Sequence, residues 1–507
     1  MSLRRESCSI TPPGMIRFGT EAMENRSTKI VFGPASRLLF DGLSIKAKPQ
    51  PETGLLDVST GNTGFKPLNA AGCLVITNAA GTMNGMKIAM ILRRLNVKGG
   101  TQRQALSLAI ELKKRGHEVI LHALRYSPEN CYPDLLKNFS FKTLPENKAE
   151  AAGKLSRCPV FSKTGLADTI SENREARRLA SIMDDDFDLL NPHDQAAYKV
   201  AHYYRKLKKN VPSIWNMNDL PLRRWGYDRM RGCDDNFRQP VLKLLAYRLF
   251  DLYEKHAFLK RQDAIVVVDN FNRELVKKYL GLNAFTVRSG PDFKHFSYKE
   301  KRPPGRTFKI LTSGILMPHR RFEDTISALP LLLAKGLDPY LTIIGDTDND
   351  KKYYNRLREL ADKLKLEDRV SFLGRVSEEK LVESYHDHHL YVFQHHLQSD
   401  GLSPFEAAAS GCPLIVSKTA GCHEVLRDGE TALFIEPKNP ADIAEKISRL
   451  VIDPVLYSHL AENANRFIRA NFSWEKYADG VLAVADKVMK EGRQMRLPAP
   501  AQCCGLM

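Results

Sequence analysis

The segment Gln398-Ser-Asp-Gly-Leu-Ser-Pro-Phe-Glu-Ala-Ala-Ala-Ser-Gly-Cys-Pro-Leu-Ile-Val-Ser417 is the most informative part of this chain of 507 residues. It predicts a loop, a short helix and a buried strand, in that order. Ser403 suits an N-cap, and Glu406 three residues later completes a Ser-x-x-Glu capping box. Gly411 suits a left-handed C-terminal cap. A loop that enters a helix N-terminus offers free N–H groups and a positive dipole end, which favour a phosphate.

Two interpretations of this segment compete. In one, Ser403 and Glu406 only cap a helix, since capping boxes are common. In the other, the segment belongs to a binding site, because its residues resemble glycosyltransferase family 4. The motif of that family has an acidic residue, then seven other residues, and then Glu. The same Glu is part of the longer pattern Gly-Leu-x-x-x-Glu-Ala-x-Ala-x-Gly-x-Pro-Val. The positions in register are Gly401-Leu402, Glu406-Ala407, Ala409, Gly411 and Pro413-Leu414-Ile415, and residues 420–434 resemble the next family segment.

The resemblance implies a retaining enzyme of the GT-B fold, an α/β architecture in which two Rossmann-like parallel-sheet domains face each other across a cleft. A C-terminal helix then crosses back to the first domain. The predicted boundaries are a disordered extension over 1–84, an acceptor domain over 85–298, a linker over 299–307, a nucleotide-sugar domain over 308–472, a crossover helix over 473–492 and a tail over 493–507.

The start of the first domain also indicates a Rossmann-like half from its own residues. Met86–Leu92 predicts a buried strand, and a turn with Gly99 and Gly100 follows it. Thr101-Gln-Arg-Gln104 predicts another capping box at the start of a helix. The motif GxGxxG is absent, so the chain gives no support for a dinucleotide site.

Composition limits the remaining classes of protein. The hydrophobic content of 43% is that of a globular protein, and no run approaches the roughly 20 apolar residues that span a bilayer. Nine scattered cysteines without a CxxC pair argue against a disulfide framework and against a zinc site. These features predict a cytoplasmic protein. In one interpretation, the protein is bound peripherally to the inner face of the membrane.

The net charge of +17 is partly concentrated between residues 202 and 261, where fourteen Lys or Arg and six Asp or Glu give 14 − 6 = +8. Three interpretations compete for this basic segment: a solvated surface, an anionic membrane or glycolipid face, and a nucleic-acid face. A solvated surface is the default. No nucleic-acid partner is expected, because no motif for nucleic-acid binding accompanies the charge.

The resemblance also implies site residues in the first domain. His193, at the end of the apolar segment that starts at Phe187, matches a family histidine beside the donor sugar. Asn191 stands where the family has another histidine. Gly99 and Gly100 match the turn that approaches the donor.

In the second domain, Arg320 stands where the family has a Lys on the donor diphosphate, and a guanidinium can bridge two phosphate oxygens. Arg321 is the second choice. Glu406 is predicted to accept hydrogen bonds from the ribose, and Gln398 replaces the first Glu of the motif, so it carries no negative charge. The other predicted donor-binding residues are Gly374, Asp400, Gly401, Leu402 and Ser403. A metal site in the His-rich stretch 386–396 matches no closed ligand pattern, so no metal is predicted.

The sequence thus predicts a metal-independent retaining hexosyltransferase that uses a UDP- or GDP-sugar as co-substrate, without any other cofactor. Its acceptor is a hydroxyl of a glycan or of a lipid-linked molecule. Two alternatives stay open: a catalytically silent GT-B module that binds an anionic glycan or lipid, and a GT-B nucleotide-sugar epimerase or similar enzyme.

Overall fold

A computed structural model of the chain describes residues 85–144, 166–233 and 237–491, together with five short strands nearer the N-terminus. The chain divides into two compact units, Met1–Asn84 and Gly85–Met507. The predicted tail over 493–507 lies outside the described residues.

The first unit contains one five-stranded sheet, whose strands are adjacent in chain order. Its strands are β1 (Ile10–Thr11), β2 (Met15–Ile16), β3 (Arg37–Phe40), β4 (Leu43–Pro49) and β5 (Leu56–Val58). The rest of residues 1–84 lies outside the described residues, so the predicted disorder of this extension stays a prediction.

The second unit begins with a lobe built on a seven-stranded parallel sheet. Its strands are β6 (Lys87–Leu95), β7 (Glu118–Tyr126), β8 (Ser140–Thr143), β9 (Leu189–His193), β10 (Ile214–Met217), β11 (Ala264–Val267) and β12 (Phe285–Thr286). Their order is β12-β11-β10-β9-β6-β7-β8. The helices are α1 (Gly100–Lys114), α2 (Pro133–Leu136), α3 (Leu166–Ile182), α4 (Ala197–Leu207), α5 (Arg223–Cys233), α6 (Val241–Ala257) and α7 (Asn270–Leu275), which a π turn extends over Val276–Leu280. Short 3-10 turns cover Pro128–Asn130 and Leu259–Arg261.

The carboxyl ends of the central strands of this sheet carry the predicted site residues of the first lobe. β6 and β9 pair in parallel with Leu92 opposite His193. All five residues of β9 and six of the nine residues of β6 are buried. Burial on both faces explains the continuous apolar runs of the sequence.

The capping box predicted at Thr101 is wrong. The helix already begins at Gly100, with Gly99 as N-cap and without a side-chain cap bond, and the Thr101 hydroxyl instead accepts a hydrogen bond from Asn218.

The second lobe has a six-stranded parallel sheet. Its strands are β13 (Thr307–Ser313), β14 (Asp338–Ile344), β15 (Val370–Gly374), β16 (Leu390–Phe393), β17 (Leu414–Ser417) and β18 (Leu433–Ile435), in the order β15-β14-β13-β16-β17-β18. The helices are α8 (Phe322–Ala334), α9 (Lys351–Lys363), α10 (Glu378–Asp387), α11 (Ser403–Ala409), α12 (Pro440–Ile452) and α13 (Pro454–Asn471). Short 3-10 turns cover Pro318–Arg320 and Gly421–Glu424.

The last helix, α14 (Trp474–Glu491), packs against the first lobe. Arg115 at the end of α1 donates to the carboxylate of Asp479 at 2.7 Å. Asn216 at the end of β10 donates to the hydroxyl of Tyr477 at 3.2 Å. The predicted fold, two Rossmann-like parallel sheets with a helix that crosses back, is therefore confirmed.

Candidate functional site

The helix that follows the decisive loop does not use the capping box predicted for it. α11 begins at Ser403, its N-cap is Leu402, and no side chain caps it. Glu406 is buried, and its carboxylate accepts a hydrogen bond of 3.2 Å from the hydroxyl of Tyr385. The interpretation that Ser403 and Glu406 only cap a helix is therefore wrong, and the Glu406 carboxylate is available for another role.

An arginine of the first lobe compensates the charge at Glu406. Burial raises the pKa of Glu406 to about 7, and Arg103 of α1 opposes this rise. Arg103 is itself buried and ion-paired with Glu378 of α10, in the second lobe. Burial lowers the pKa of Arg103, but Glu406 and Glu378 outweigh that effect, so its pKa lies above its ordinary value. The Glu406 carboxylate thus lies where the two lobes meet.

Arg320 and His395 form a pair of hydrogen-bond donors on the second lobe. Arg320 Nη1 lies 3.0 Å from His395 Nδ1. A guanidinium can only donate, so His395 Nδ1 accepts and the proton of the neutral ring is on Nε2. Both Arg320 Nε and His395 Nε2 are buried without a partner, and no carboxylate in the described residues is ion-paired with Arg320. Burial lowers the pKa of Arg320 to about 10, and it lowers that of His395 well below its ordinary value.

The first lobe presents acceptors instead of donors. His193 Nε2 lies 2.9 Å from Asn191 Oδ1, while Asn191 Nδ2 donates to the carbonyl of Ile214 at 2.8 Å. The amide of Asn191 is thereby oriented, so His193 Nε2 carries the proton and Nδ1 has a free lone pair. His193 Nδ1 and Asn216 Oδ1 are both buried without a partner. Burial lowers the pKa of His193 to about 3, so its ring is neutral.

Two glycine turns bring the lobes together near these groups. A methyl group placed on Gly100 would lie 3.9 Å from Leu402 Cδ1. Gly401 has φ of +74°, and a methyl group there would meet the Phe393 ring at 2.9 Å, so the position requires glycine. Within the described residues, the backbone N–H groups of Gly401 and Leu402 have no hydrogen-bond acceptor. These amides are free for an anionic ligand.

Asp400 belongs to a contact between the lobes rather than to the free groups. Its Oδ1 accepts from Arg288 Nη1 at 2.8 Å, and its backbone N–H donates to Asp269 at 2.6 Å. Arg288 also pairs with Glu424 at 2.5 Å. The Glu424 carboxylate accepts from the first two backbone amides of α7. The carboxylate of Asp400 is thus engaged by Arg288.

Three other predicted residues lie at the edge of this arrangement. Arg321 is ion-paired with Glu323 and Asp324, so its charge is already neutralised. The side-chain amide of Gln398 donates to the hydroxyl of Ser399 at 2.9 Å. Gly374, with φ of +68°, ends β15, and its carbonyl accepts from the backbone N–H of Gly345 at 3.1 Å.

Sequence reasoning did not identify three residues as part of this arrangement. Arg103 is the charge partner of Glu406, and His395 accepts a hydrogen bond from Arg320. Arg229 of α5 further lowers the pKa of Arg320. His395 was visible only as one member of a His-rich stretch. For Arg103 and Arg229 the sequence holds no signal, since each acts on a residue of the other lobe.

Two surface cavities of about 370 and 700 Å³ lie on the second lobe, and no site residue lines either of them. Within the described ranges, no group of three or more His, Cys, Asp or Glu side chains is placed to hold a metal ion. None of the helices in those ranges is long and apolar enough to cross a bilayer.

Two family models match this chain. The sequence model "Glycosyltransferase Family 4" matches residues 98–289, and the model "Glycosyl transferases group 1" matches residues 294–467. A glycogen synthase of Mycobacterium tuberculosis is 27% identical over 246 residues, which are 48% of this chain and 58% of the relative. The match therefore spans less than two thirds of that curated relative.

Two further matches cover nearly the full length of the other protein. An uncharacterised glycosyltransferase of Methanocaldococcus jannaschii is 28% identical over 404 residues, which are 78% of this chain and 96% of the relative. The structure of Anabaena HepE, in complex with UDP and glucose, superposes with a TM-score of 0.59 at 15% identity, over 79% of this chain and 99% of that one. At that identity the superposition shows the fold alone. The two family models account for both lobes in turn, and this chain belongs to the family 4, group 1 glycosyltransferases of the GT-B fold.

Proposed function

We propose that this chain transfers a hexose from a UDP- or GDP-sugar to a hydroxyl of a glycan or lipid-linked acceptor, with retention and without a metal ion. One observation carries the proposal: the two lobes offer complementary unpartnered atoms. The second lobe supplies donors at Arg320 Nε and His395 Nε2, and the first lobe supplies acceptors at His193 Nδ1 and Asn216 Oδ1. A phosphate needs donors and a sugar hydroxyl can donate, so a sugar phosphate satisfies both sets.

The second lobe has the groups that a leaving diphosphate requires. Among the described residues no carboxylate forms an ion pair with Arg320, although the charge of Asp219 raises its pKa. The free amides of Gly401 and Leu402 add N–H donors. Preorganised donors of this kind stabilise charge as it develops on the leaving oxygen. Fixed cationic and amide groups thus take the role that a divalent cation has in other transferases, which supports the metal-independent form of the proposal.

The remaining residues position the donor. Glu406 accepts hydrogen bonds from the ribose hydroxyls, and Arg103 favours the ionised carboxylate that this requires. His193 is neutral and accepts from a hydroxyl of the sugar. The departing phosphate takes the proton of the acceptor hydroxyl. The proposed retention of anomeric configuration is inferred from family membership. The UDP found with the similarly folded Anabaena protein supports a nucleotide-sugar donor.

A binding and hydrolysis panel tests the proposal. UDP, GDP, UDP-glucose, UDP-galactose and GDP-mannose are titrated into the full chain by calorimetry, and slow release of free sugar is followed without acceptor. We expect one base to bind in preference and its sugar nucleotide to be hydrolysed slowly. Lack of binding of any nucleotide would contradict the proposal and favour a silent binding module.

A further inference from the structure

Helix α6 exposes an unusual number of large apolar side chains. Val241 is 83% exposed and Leu242 is 81% exposed. Four more residues of the same helix are between 45% and 61% exposed: Leu245, Leu249, Leu252 and Tyr253. At about 100° per residue, these six positions fall within an arc of about 120° on one side of the helix. Between Val241 and Tyr253 the helix therefore presents an apolar stripe about 18 Å long.

The acidic residues of α6 point the other way. Asp251 is buried and accepts from the backbone amides of Arg223 and Arg224 at the start of α5. Glu254 is buried too, and it is bonded to Tyr198 and paired with Lys199 at 3.2 Å. Both carboxylates of the helix are thus used inside the lobe, where they hold α6 in one orientation.

The exposed lysine and arginine of α6 leave it with positive charge at its surface. Lys243 and Arg248 are exposed, and Arg248 borders the apolar stripe on the helical projection. From residue 237 to residue 250 the sequence contains three cationic residues, Arg238, Lys243 and Arg248, and no acidic one. An apolar helix face accompanied by exposed cations of the same helix is typical of a helix that lies in the interface of an anionic membrane.

A second copy of the chain is the competing occupant of this surface. In a two-fold pair the same patch meets itself, so the cations that border the stripe would approach those of the other copy. Like charges brought together in this way oppose association. An anionic lipid surface instead attracts the same cations while it covers the apolar side chains.

We propose that α6 docks the first lobe on an anionic lipid bilayer, with the apolar stripe in the headgroup region. The stripe is the one formed by Val241, Leu242, Leu245, Leu249, Leu252 and Tyr253. The helix is connected to the site by two contacts. Asp251 caps α5, and the carbonyl of Cys233 at the other end of α5 accepts from Arg321, next to Arg320. Docking through α6 therefore holds the site close to the bilayer, within reach of a lipid-linked hydroxyl.

Flotation with vesicles tests this inference. No sugar donor is added, so a failure of the chain to bind vesicles is distinguishable from a failure of the proposed transferase activity. The full chain is mixed with phosphatidylcholine vesicles that contain about one third phosphatidylglycerol, and with pure phosphatidylcholine vesicles. We expect binding to the anionic vesicles that weakens with salt, and little binding to the neutral ones. The double substitution Leu245→Glu and Leu249→Glu should lower the partition coefficient at least about tenfold.

A matched double variant separates a specific surface from a general effect of added negative charge. Ile452→Glu with Val455→Glu alters two side chains that are 70% and 79% exposed on the second lobe, and this variant should bind vesicles like the unaltered chain. Three results would each overturn the inference: an equal loss of vesicle binding in both double variants, binding to neutral vesicles as strong as binding to anionic ones, or no vesicle binding by the unaltered chain. A dimer in solution that the Leu245 and Leu249 substitutions dissociate would overturn it in favour of a second copy.

Discussion

Arg320 carries a positive charge and forms no ion pair with a carboxylate in the described part of the chain. We expect Arg320→Ala to reduce the rate of sugar transfer by about 10²-fold or more, as loss of one oxyanion donor does. Arg321→Ala should have a smaller effect, since Glu323 and Asp324 already neutralise that guanidinium. Steady-state kinetics of the two variants measure the difference, and Arg358→Ala, an exposed cation of the same lobe, serves as control. An unchanged rate in Arg320→Ala would remove that residue from the site.

Glu406 links nucleotide binding to pH. Its pKa of about 7 lies above the ordinary value of 4.5 because the carboxylate is buried. We expect nucleotide affinity to weaken as the pH falls below about 7, because a protonated carboxyl accepts fewer hydrogen bonds from ribose hydroxyls. Glu406→Gln should bind nucleotide more weakly and without this pH dependence. Calorimetric titration between pH 5.5 and pH 8, buffer values that bracket a pKa of about 7, measures both effects.

The same pKa shift predicts the effect of Glu406→Gln on stability. The folded chain holds this proton more tightly than the unfolded chain, so stability is lost as the pH rises from about 4.5 through about 7. At pH values above this window, Glu406→Gln should stabilise the unliganded chain by on the order of 2 kcal/mol. A loss of stability instead would restore a structural role for Glu406. Denaturant unfolding at pH 8 and at pH 5 provides the comparison, since the gain should shrink at the lower pH.

Sequence reasoning identified individual site residues when their local pattern was distinctive. Glu406 and Arg320 were predicted because each lies in a loop-to-helix segment with a family resemblance. Arg103 was not predicted, because its partners Glu378 and Glu406 lie about 300 residues further along the chain, in the other lobe. The sequence pattern around a residue contains nothing about a charge that folding alone brings beside it.

At the scale of elements, α14 depends on a glycine where it crosses the first lobe. A methyl group on Gly480 would meet Val287 Cγ1 at 2.5 Å, so a larger side chain forces the helix away from the lobe. We expect Gly480→Val to destabilise the chain by about 1–3 kcal/mol, the usual cost of overpacking. Gly226→Ala in α5 is the control, since a methyl group there meets nothing within 4 Å. Thermal unfolding of both variants should show a loss for Gly480→Val only.

The elements themselves were largely predictable, whereas their first residues were not. The apolar runs at Met86–Leu92 and Leu414–Val416 predicted strands that the structure confirms within a few residues. The two capping boxes, at Thr101 and at Ser403, were wrong, because both helices begin after a glycine- or leucine-containing turn without a side-chain cap. A capping pattern near a helix start is common enough to occur without forming the bonds.

At the scale of the whole molecule, two sets of charges hold the lobes together: Arg103 with Glu378, and Arg288 with Asp400 and Glu424. Removing Arg288 leaves two buried or part-buried carboxylates without compensation. We expect Arg288→Ala to cost about 3 kcal/mol of stability. It should also increase the radius of gyration, because the cleft is then less firmly closed.

Denaturant unfolding and small-angle scattering measure these two effects of Arg288→Ala. Arg273→Ala, which alters an arginine with 46% of its side chain exposed, is the control and should change neither quantity. An Arg288→Ala variant with unchanged stability and unchanged scattering would show that this contact does not join the lobes.

The contact made by Glu424 also has a consequence for dissecting the protein. This residue of the second lobe caps α7 of the first, and Arg288 of the first lobe is neutralised by the second. A truncated protein that kept only the first half would retain a desolvated guanidinium and an uncapped helix start. Hybrids assembled from halves of different family members should therefore fold well only when Arg288, Asp269, Asp400 and Glu424 are inherited as one set.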